Sequence, residues 1–200
     1  MKRSVWMLGL LVLMSGCMST QHYDEIMGSV SDVNALKNSD RSQDQRIREL
    51  ENVVKDLQSS LKSEISTQGV KVSSASDEGV RVTLPEAVLF SSGSVQINAQ
   101  GRKVLSNVAL VVLKGADNSI RIVGHSDALP VSGELKTRFA DNWELSAARA
   151  AAVARVFVWG AGIEANRIRV EGRGAADPVA DNTSEKGRDQ NRRIEIFIAS

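Results

Sequence analysis

Two hundred residues with 42% hydrophobic content suit one domain with extensions and a single core of ordinary size. The net charge of +1 conceals no strongly basic block: residues 21–66 hold 6 basic and 9 acidic side chains, and residues 67–200 hold 17 and 15. Aromatics are only 4%, so there is no basic, aromatic-rich stripe, and nucleic-acid binding is set aside.

The chain opens with Lys2-Arg3, an apolar run from Val5 to Met14, and Ser15-Gly16-Cys17. That run is too short for a bilayer about 30 Å thick, which takes about 20 apolar residues. It reads as an export signal over residues 1–16. Leu13-Met14-Ser15-Gly16-Cys17 resembles a bacterial lipobox, with Met14 where leucine is commoner. The resemblance implies cleavage before Cys17, a diacylglycerol on its sulfur and a third acyl chain on its amine. Several chains anchor stably, because burial is worth about 0.8 kcal/mol per CH₂ and one chain alone is marginal. Met18, where an aspartate could stand, resembles lipoproteins sent to the outer membrane; residues 17–25 would then be a lipidated tether facing the periplasm. The plainer alternative is an ordinary leader or uncleaved anchor in which Cys17, the only cysteine, is a free thiol.

Residues 26–66 contain no proline and a single glycine, Gly28. At seven-residue intervals, Ile26, Val33, Asp40, Ile47, Val54 and Leu61 form one row, and Ser29, Leu36, Gln43, Leu50, Leu57 and Glu64 another. This reads as a helical coiled-coil spacer, most persuasive from Ile47 to Leu61, and a seam for homo-oligomers of unspecified number. A single solvated helix is the alternative. About 40 residues at 1.5 Å each would make a rod of roughly 60 Å. Ser66-Thr67-Gln68-Gly69 is the expected joint to a domain over residues 67–200.

That domain reads as α+β. Val70–Ser73 and Val80–Leu84 alternate apolar and polar residues and predict a hairpin. A helix follows over about 98–113, then a strand at Ile120–Val123. A second helix is predicted from Asn142 to Trp159, with Leu145, Ala148, Ala152, Val156 and Trp159 on its buried stripe, stopped by Gly160-Ala-Gly162. Strands at 168–170 and 194–198 flank a polar loop from Gly172 to Asn191. The order suits one mixed sheet of about four strands plus an N-terminal hairpin strand, with two main helices on one face.

Asp127 falls just past the third strand and Arg149 within two turns of the second helix's start. One carboxylate and one guanidinium placed this way suit a ligand that carries an ammonium and a carboxylate together, since each charge must meet its opposite on leaving water. The helix N-terminus would add backbone donors for the ligand carboxylate. Asn142 either caps the helix or donates to the ligand, and Ser126 adds a hydroxyl. The bland alternatives are that Asp127 and Arg149 pair with each other, or that Asp127 caps a turn.

Gly124-His-Ser-Asp127, Asn142-x-x-Leu-Ser-x-x-Arg149-Ala, Gly160-Ala-Gly-Ile163, Gly172-x-Gly174, Asn182 and Gly187-Arg-x-x-Asn-Arg-Arg193 together resemble the OmpA-like peptidoglycan-binding domain, over about residues 79–198. The resemblance implies that Asp127 and Arg149 hold the diaminopimelate of the wall peptide. It also implies that the turn at Phe90, Ser91 and Ser92 lines the pocket, and that Arg193 is a weaker candidate, more often a structural tie to the loop. Residues 129–139 and Asn-Trp-Glu-Leu-Ser look especially similar to flagellar stator B subunits, which carry a true transmembrane helix.

Catalysis and metal binding have little support. His125 and His22 are the only histidines, and Ser126 and Asp127 are neighbours rather than a spaced relay. No ligand cluster has metal spacing, and Gly172-Arg-Gly174 does not open a helix as a phosphate cradle must. No cofactor is expected. The implied partners are peptidoglycan and, through Cys17, the outer membrane. The leading expectation is a wall-binding outer-membrane lipoprotein; the second is an accessory of a motor or secretion machine with envelope partners.

Overall fold

The computed structural model describes residues 20–75, 79–115 and 118–199, with side chains from Ala35 onward. The leader expected over 1–16, Cys17, and the seam side chains of Ile26, Ser29 and Val33 lie outside what is described. Helix α1 runs from Thr20 to Ser60, as a stretch without proline allows. Among the described residues no helix is long and apolar enough to cross a membrane.

The chain divides into two units, Met1–Arg46 and Ile47–Ser200. In the first, every described residue belongs to α1, and Leu36 is 70% exposed. The second takes in residues 47–60 of α1 and the short helix α2 (Lys62–Thr67). Leu57 and Leu61 are fully buried there, with Leu50, Val53, Val54 and Ile65 packed against the same core. The joint expected at Ser66–Gly69 therefore falls inside this unit, and four residues assigned to coiled-coil rows are spent on the chain's own core. A heptad row and an amphipathic stripe coincide over a few turns, so periodicity alone does not separate them.

The sheet contains β1 (Lys71–Ala75), β2 (Gly79–Pro85), β3 (Ser119–His125), β4 (Ile168–Gly172) and β5 (Arg193–Ala199), in spatial order β1-β2-β5-β3-β4. All neighbours are antiparallel except β3 and β4, which are parallel as the intervening helix requires. One face of Val80, Val82, Leu84, Ile120, Ile122, Ile194, Ile196 and Ile198 is covered by helices α4 (Ala99–Val112) and α5 (Asn142–Arg155). The helix-free face carries Phe197 with Arg121 4.0 Å and Arg81 5.8 Å from its ring centre.

Asn98 caps α4 by accepting from Gly101 N–H at 2.6 Å. Beyond Arg155 the second predicted helix becomes a π turn over Val156–Gly160, which buries Phe157 and leaves Trp159, expected on the buried stripe, 78% exposed, and the chain leaves at Gly162 with φ +74°. Two short helices were not read from the sequence: α3 (Glu86–Leu89), directly after β2, and α6 (Glu185–Asn191), inside the segment read as loop. One or two turns are too short for a periodic signal. Their positions matter, because each delivers a charge to the site.

The start of α5 is seated by glycines. A Cβ on Gly124 would lie 2.1 Å from the Ser146 carbonyl oxygen, and one on Gly172 would lie 2.7 Å from Ala147 N. Only hydrogen at these positions lets α5 lie against the ends of β3 and β4, and that contact sets where Arg149 points.

Candidate functional site

Where β3 ends, the chain turns sharply at Ser126-Asp127. Asp127 Oδ1 accepts from Leu129 N–H at 3.0 Å, closing a local turn, while Arg192 Nη1 donates to Oδ2 at 2.5 Å. Asn142 Nδ2 donates to the carbonyls of Asp127 (3.2 Å) and Leu129 (2.8 Å), so the first residue of α5 pins this turn. The helix cap is Asp141, which accepts from Trp143 and Glu144 N–H at 2.8 and 3.0 Å. Of the two roles left open for Asn142, capping therefore goes to its neighbour. Those two N–H groups, expected to meet a ligand carboxylate, are taken. Ser126 is buried, and its Oγ donates to the Asp127 carbonyl at 3.0 Å.

Arg149 does not pair with Asp127. Its Nη1 and Nη2 donate to Glu86 Oε2 and Oε1 at 2.7 and 2.6 Å, a bidentate pair. Nη2 also approaches the Ser94 carbonyl at 3.4 Å, and the guanidinium stands 5.5 Å from the Phe90 ring centre. Its Nε is buried without a hydrogen-bond partner among the described residues. Burial raises the Glu86 carboxyl above its ordinary range, with the charges of Arg149 and Arg192 opposing. Burial likewise lowers the Arg149 guanidinium, with Glu86 opposing.

Arg192 joins the two halves. Besides Asp127 it donates to Glu185 at 2.9 Å and to Asp189. Burial works to lower its pKa, but the hydrogen bonds to Asp127 and Glu185 outweigh that and hold it above the ordinary arginine value. Glu86 feels the charges of Arg149, Arg192 and Asp127. Glu86, Arg149, Asp127 and Arg192 thus form a quartet of alternating charges that cancel among themselves, with Glu185 and Asp189 adding mostly exposed carboxylates at its rim. A cavity of about 760 Å³ belongs to the other face; the one beside the quartet is about 480 Å³, lined by Glu86, Phe90, Ser91, Ser92, Asp189 and Arg192.

The sequence reading found Asp127, Arg149, Asn142, Phe90 and Ser91 near this place but passed over Glu86 and Arg192. Arg192 and Arg193 are adjacent, and as the chain enters β5 neighbours point to opposite faces, so only one of the pair can reach Asp127. That one is Arg192. Arg193 lies on the helix-free face, where Nε donates to Glu195 at 2.9 Å and Nη2 to the Asp177 carbonyl at 3.2 Å. It ties β5 to the loop and lines the larger groove.

His125 is also on that face. Among the described residues neither ring nitrogen has a hydrogen-bond partner, and Nε2 stands 3.7 Å from Glu195 Oε2. Burial works to raise the Glu195 carboxyl, yet the adjoining His125 and Arg193 hold it down at about 2. Ser126 Oγ is engaged by the backbone, so it forms no relay with His125. Among the described residues no three His, Cys, Asp or Glu side chains are grouped to hold a metal ion.

Known proteins resemble this chain in sequence and in fold. The outer-membrane lipoprotein YfiB of Pseudomonas aeruginosa is 35% identical over 122 residues, 61% of this chain and 68% of that protein. A MotB-like protein of Desulfovibrio vulgaris superposes with a TM-score of 0.67 at 32% identity, covering 78% of this chain and 94% of that one. The cell wall anchor of the type VI secretion system of Pseudomonas aeruginosa gives 0.63 at 34% identity, covering 72% and 97%. The chain spans 62%, 59% and 56% of the length of the first curated relatives it matches. With the OmpA family matched over residues 89–192, just over half of its length, and the five-stranded mixed sheet in place, this chain belongs to the OmpA family.

Proposed function

We propose that the chain is an outer-membrane lipoprotein that holds peptidoglycan non-covalently through the diaminopimelate of the stem peptide, tethering the envelope to the wall. The observation that carries this reading is the neutral quartet beside a cavity. A free amino-acid end has one positive and one negative group, and a site with both charges, already desolvated, accepts it with no net charge left over. Asp127 takes the ammonium and Arg149 the carboxylate. Asn142 and Ser126 hold the Asp127 turn, while Phe90 and Ser91 shape the wall of the cavity. The role is mechanical, not catalytic. Membership of the OmpA family and the likeness to a cell wall anchor support it.

Acyl chains on Cys17 fix the other end, a reading supported by the lipoprotein among the relatives. Leu36 and Ile47, 70% and 54% exposed on α1, remain for pairing with further copies, and pairing would add avidity on a repetitive polymer. A second reading, a wall-fixed accessory of a flagellar motor or secretion machine, is favoured by the MotB-like and secretion-anchor neighbours.

The test is co-sedimentation of the full chain, in detergent, with purified diaminopimelate-type peptidoglycan. Wild type is expected to pellet, and Asp127→Ala and Arg149→Ala to stay in solution, because in the complex each leaves one ligand charge without its partner at a cost of about 3–5 kcal/mol. Equal pelleting of all three, or none by wild type, overturns the reading. Proteins that co-purify with the chain separate the tether from the machine accessory.

A further inference from the structure

Asp127 and Arg149, the two groups proposed to grip the ligand, are 7% and 4% exposed, and each is covered by an opposite charge from its own chain. A ligand carboxylate cannot reach the Arg149 fork while Glu86 occupies both Nη donors. An ammonium at Asp127 meets the same obstacle in Arg192. Simple addition of the ligand would therefore crowd like charges together.

We infer that Glu86 and Arg192 are internal stand-ins for the ligand's carboxylate and ammonium, and that binding is a partner exchange in which the two displaced groups pair with each other. The geometry supplies what such an exchange needs. Glu86 and Arg192 line the same cavity, and Glu86 N–H donates to the Arg192 carbonyl at 2.9 Å, so their side chains start from neighbouring positions. Arg192 has two further carboxylates, Glu185 and Asp189, both mostly exposed, and stays paired while it lets go of Asp127. Among the described residues Glu86 pairs with no other cation; its natural destination is Arg192, whose charge it already feels. Before exchange the pairs are Glu86–Arg149 and Asp127–Arg192. Afterwards they are ligand carboxylate–Arg149, Asp127–ligand ammonium and Glu86–Arg192, with every charge matched. A ligand with an ammonium alone leaves Glu86–Arg149 closed and engages only half of the site. Glu86 thus makes the site demand both charges.

This inference rests on the wall-binding reading, and the experiment separates the two. Titration calorimetry on the full chain in detergent compares a synthetic stem tetrapeptide carrying meso-diaminopimelate at its third position with the same peptide carrying lysine there. Glu86→Gln removes the internal competitor for Arg149 and is expected to tighten the diaminopimelate peptide about tenfold, about 1.4 kcal/mol, while leaving the lysine peptide unchanged. Glu86→Asp, one methylene shorter and still charged, moves the same way by less and covers the case in which the glutamine variant does not fold. If wild type binds the diaminopimelate peptide and Glu86→Gln weakens it, or shifts both peptides alike, Glu86 merely positions Arg149 and the exchange is overturned. If neither wild type nor variant binds either peptide, the wall-binding reading falls, and the exchange with it.

Discussion

The two faces of β5 carry the same chemistry arranged to opposite ends. Arg192 and Arg193 are sequence neighbours, and each is paired with carboxylates. Arg193 and Glu195 are both nearly inaccessible, and a second bond from Arg193 to the Asp177 carbonyl locks the pair into the loop. Arg192 lies at a cavity rim among three carboxylates, two of them mostly exposed. An arginine with one buried partner is a structural tie, whereas one that can trade partners without becoming unpaired is suited to a site. Burial alone does not tell them apart; the number and exposure of the alternatives does.

Stability measurements should split the pair most widely. Arg193→Ala strands Glu195 and is expected to cost about 3–5 kcal/mol in urea unfolding. Arg192→Ala leaves Glu185 and Asp189 to water and the buried Asp127 with its bond from Leu129 N–H, and should cost less, about 1–3 kcal/mol. Equal costs would erase the distinction between tie and site.

The pH profile gives a second, smaller contrast. Glu195 sits at about 2 in the folded protein against an ordinary 4.5. A depressed carboxylate contributes stability that is present above 4.5 and lost as pH falls toward 2. Glu195→Gln should therefore be less stable than wild type at pH 7, with the gap closing over that window. Glu86, raised by burial, runs the other way: the folded state takes up its proton first, so its contribution improves as the pH falls through its folded value. Urea midpoints from pH 7 to 2.5 for both glutamine variants should show opposite slopes, and parallel slopes would contradict the assignment of burial and pairing. The smallest expected effect is at Asn142. Its two bonds to the 127–129 turn are worth about 1 kcal/mol of stability, and Asn142→Ala should weaken sedimentation with the wall less than Asp127→Ala does. A loss as complete as that of Asp127→Ala would make Asn142 a direct ligand contact.

Much of the fold was readable because its signals are local. Alternation in Val80–Leu84 and Ile194–Ile198 and the stripe of α5 as far as Ala152 each depend on residues within a turn or a strand; Trp159, read onto that stripe, is 78% exposed because the helix changes pitch after Arg155. The short helices α3 and α6 escaped because one or two turns carry no period. The residues from Leu50 to Leu61 were read as a coiled-coil seam because an apolar helical face does not say whether its cover comes from another copy or from the same chain. At the site, Asp127 and Arg149 stood out by type and spacing, while Glu86 lies 63 positions before Arg149 and Arg192 lies 65 after Asp127. Nothing in a linear pattern links charges that far apart.

The sequence by itself determined that there would be an α+β domain with an acidic and a basic residue near the start of its second helix, and a long helix before it. Periodicity, capping and charge type are properties of neighbouring residues and survive without coordinates. Which charge faces which was decided only by the tertiary structure. The glycines at 124 and 172 set the seat of α5, and the entry of β5 sends Arg192 to one face and Arg193 to the other. Pairing energies depend on distance and burial, and those exist only once the strands and helices are packed.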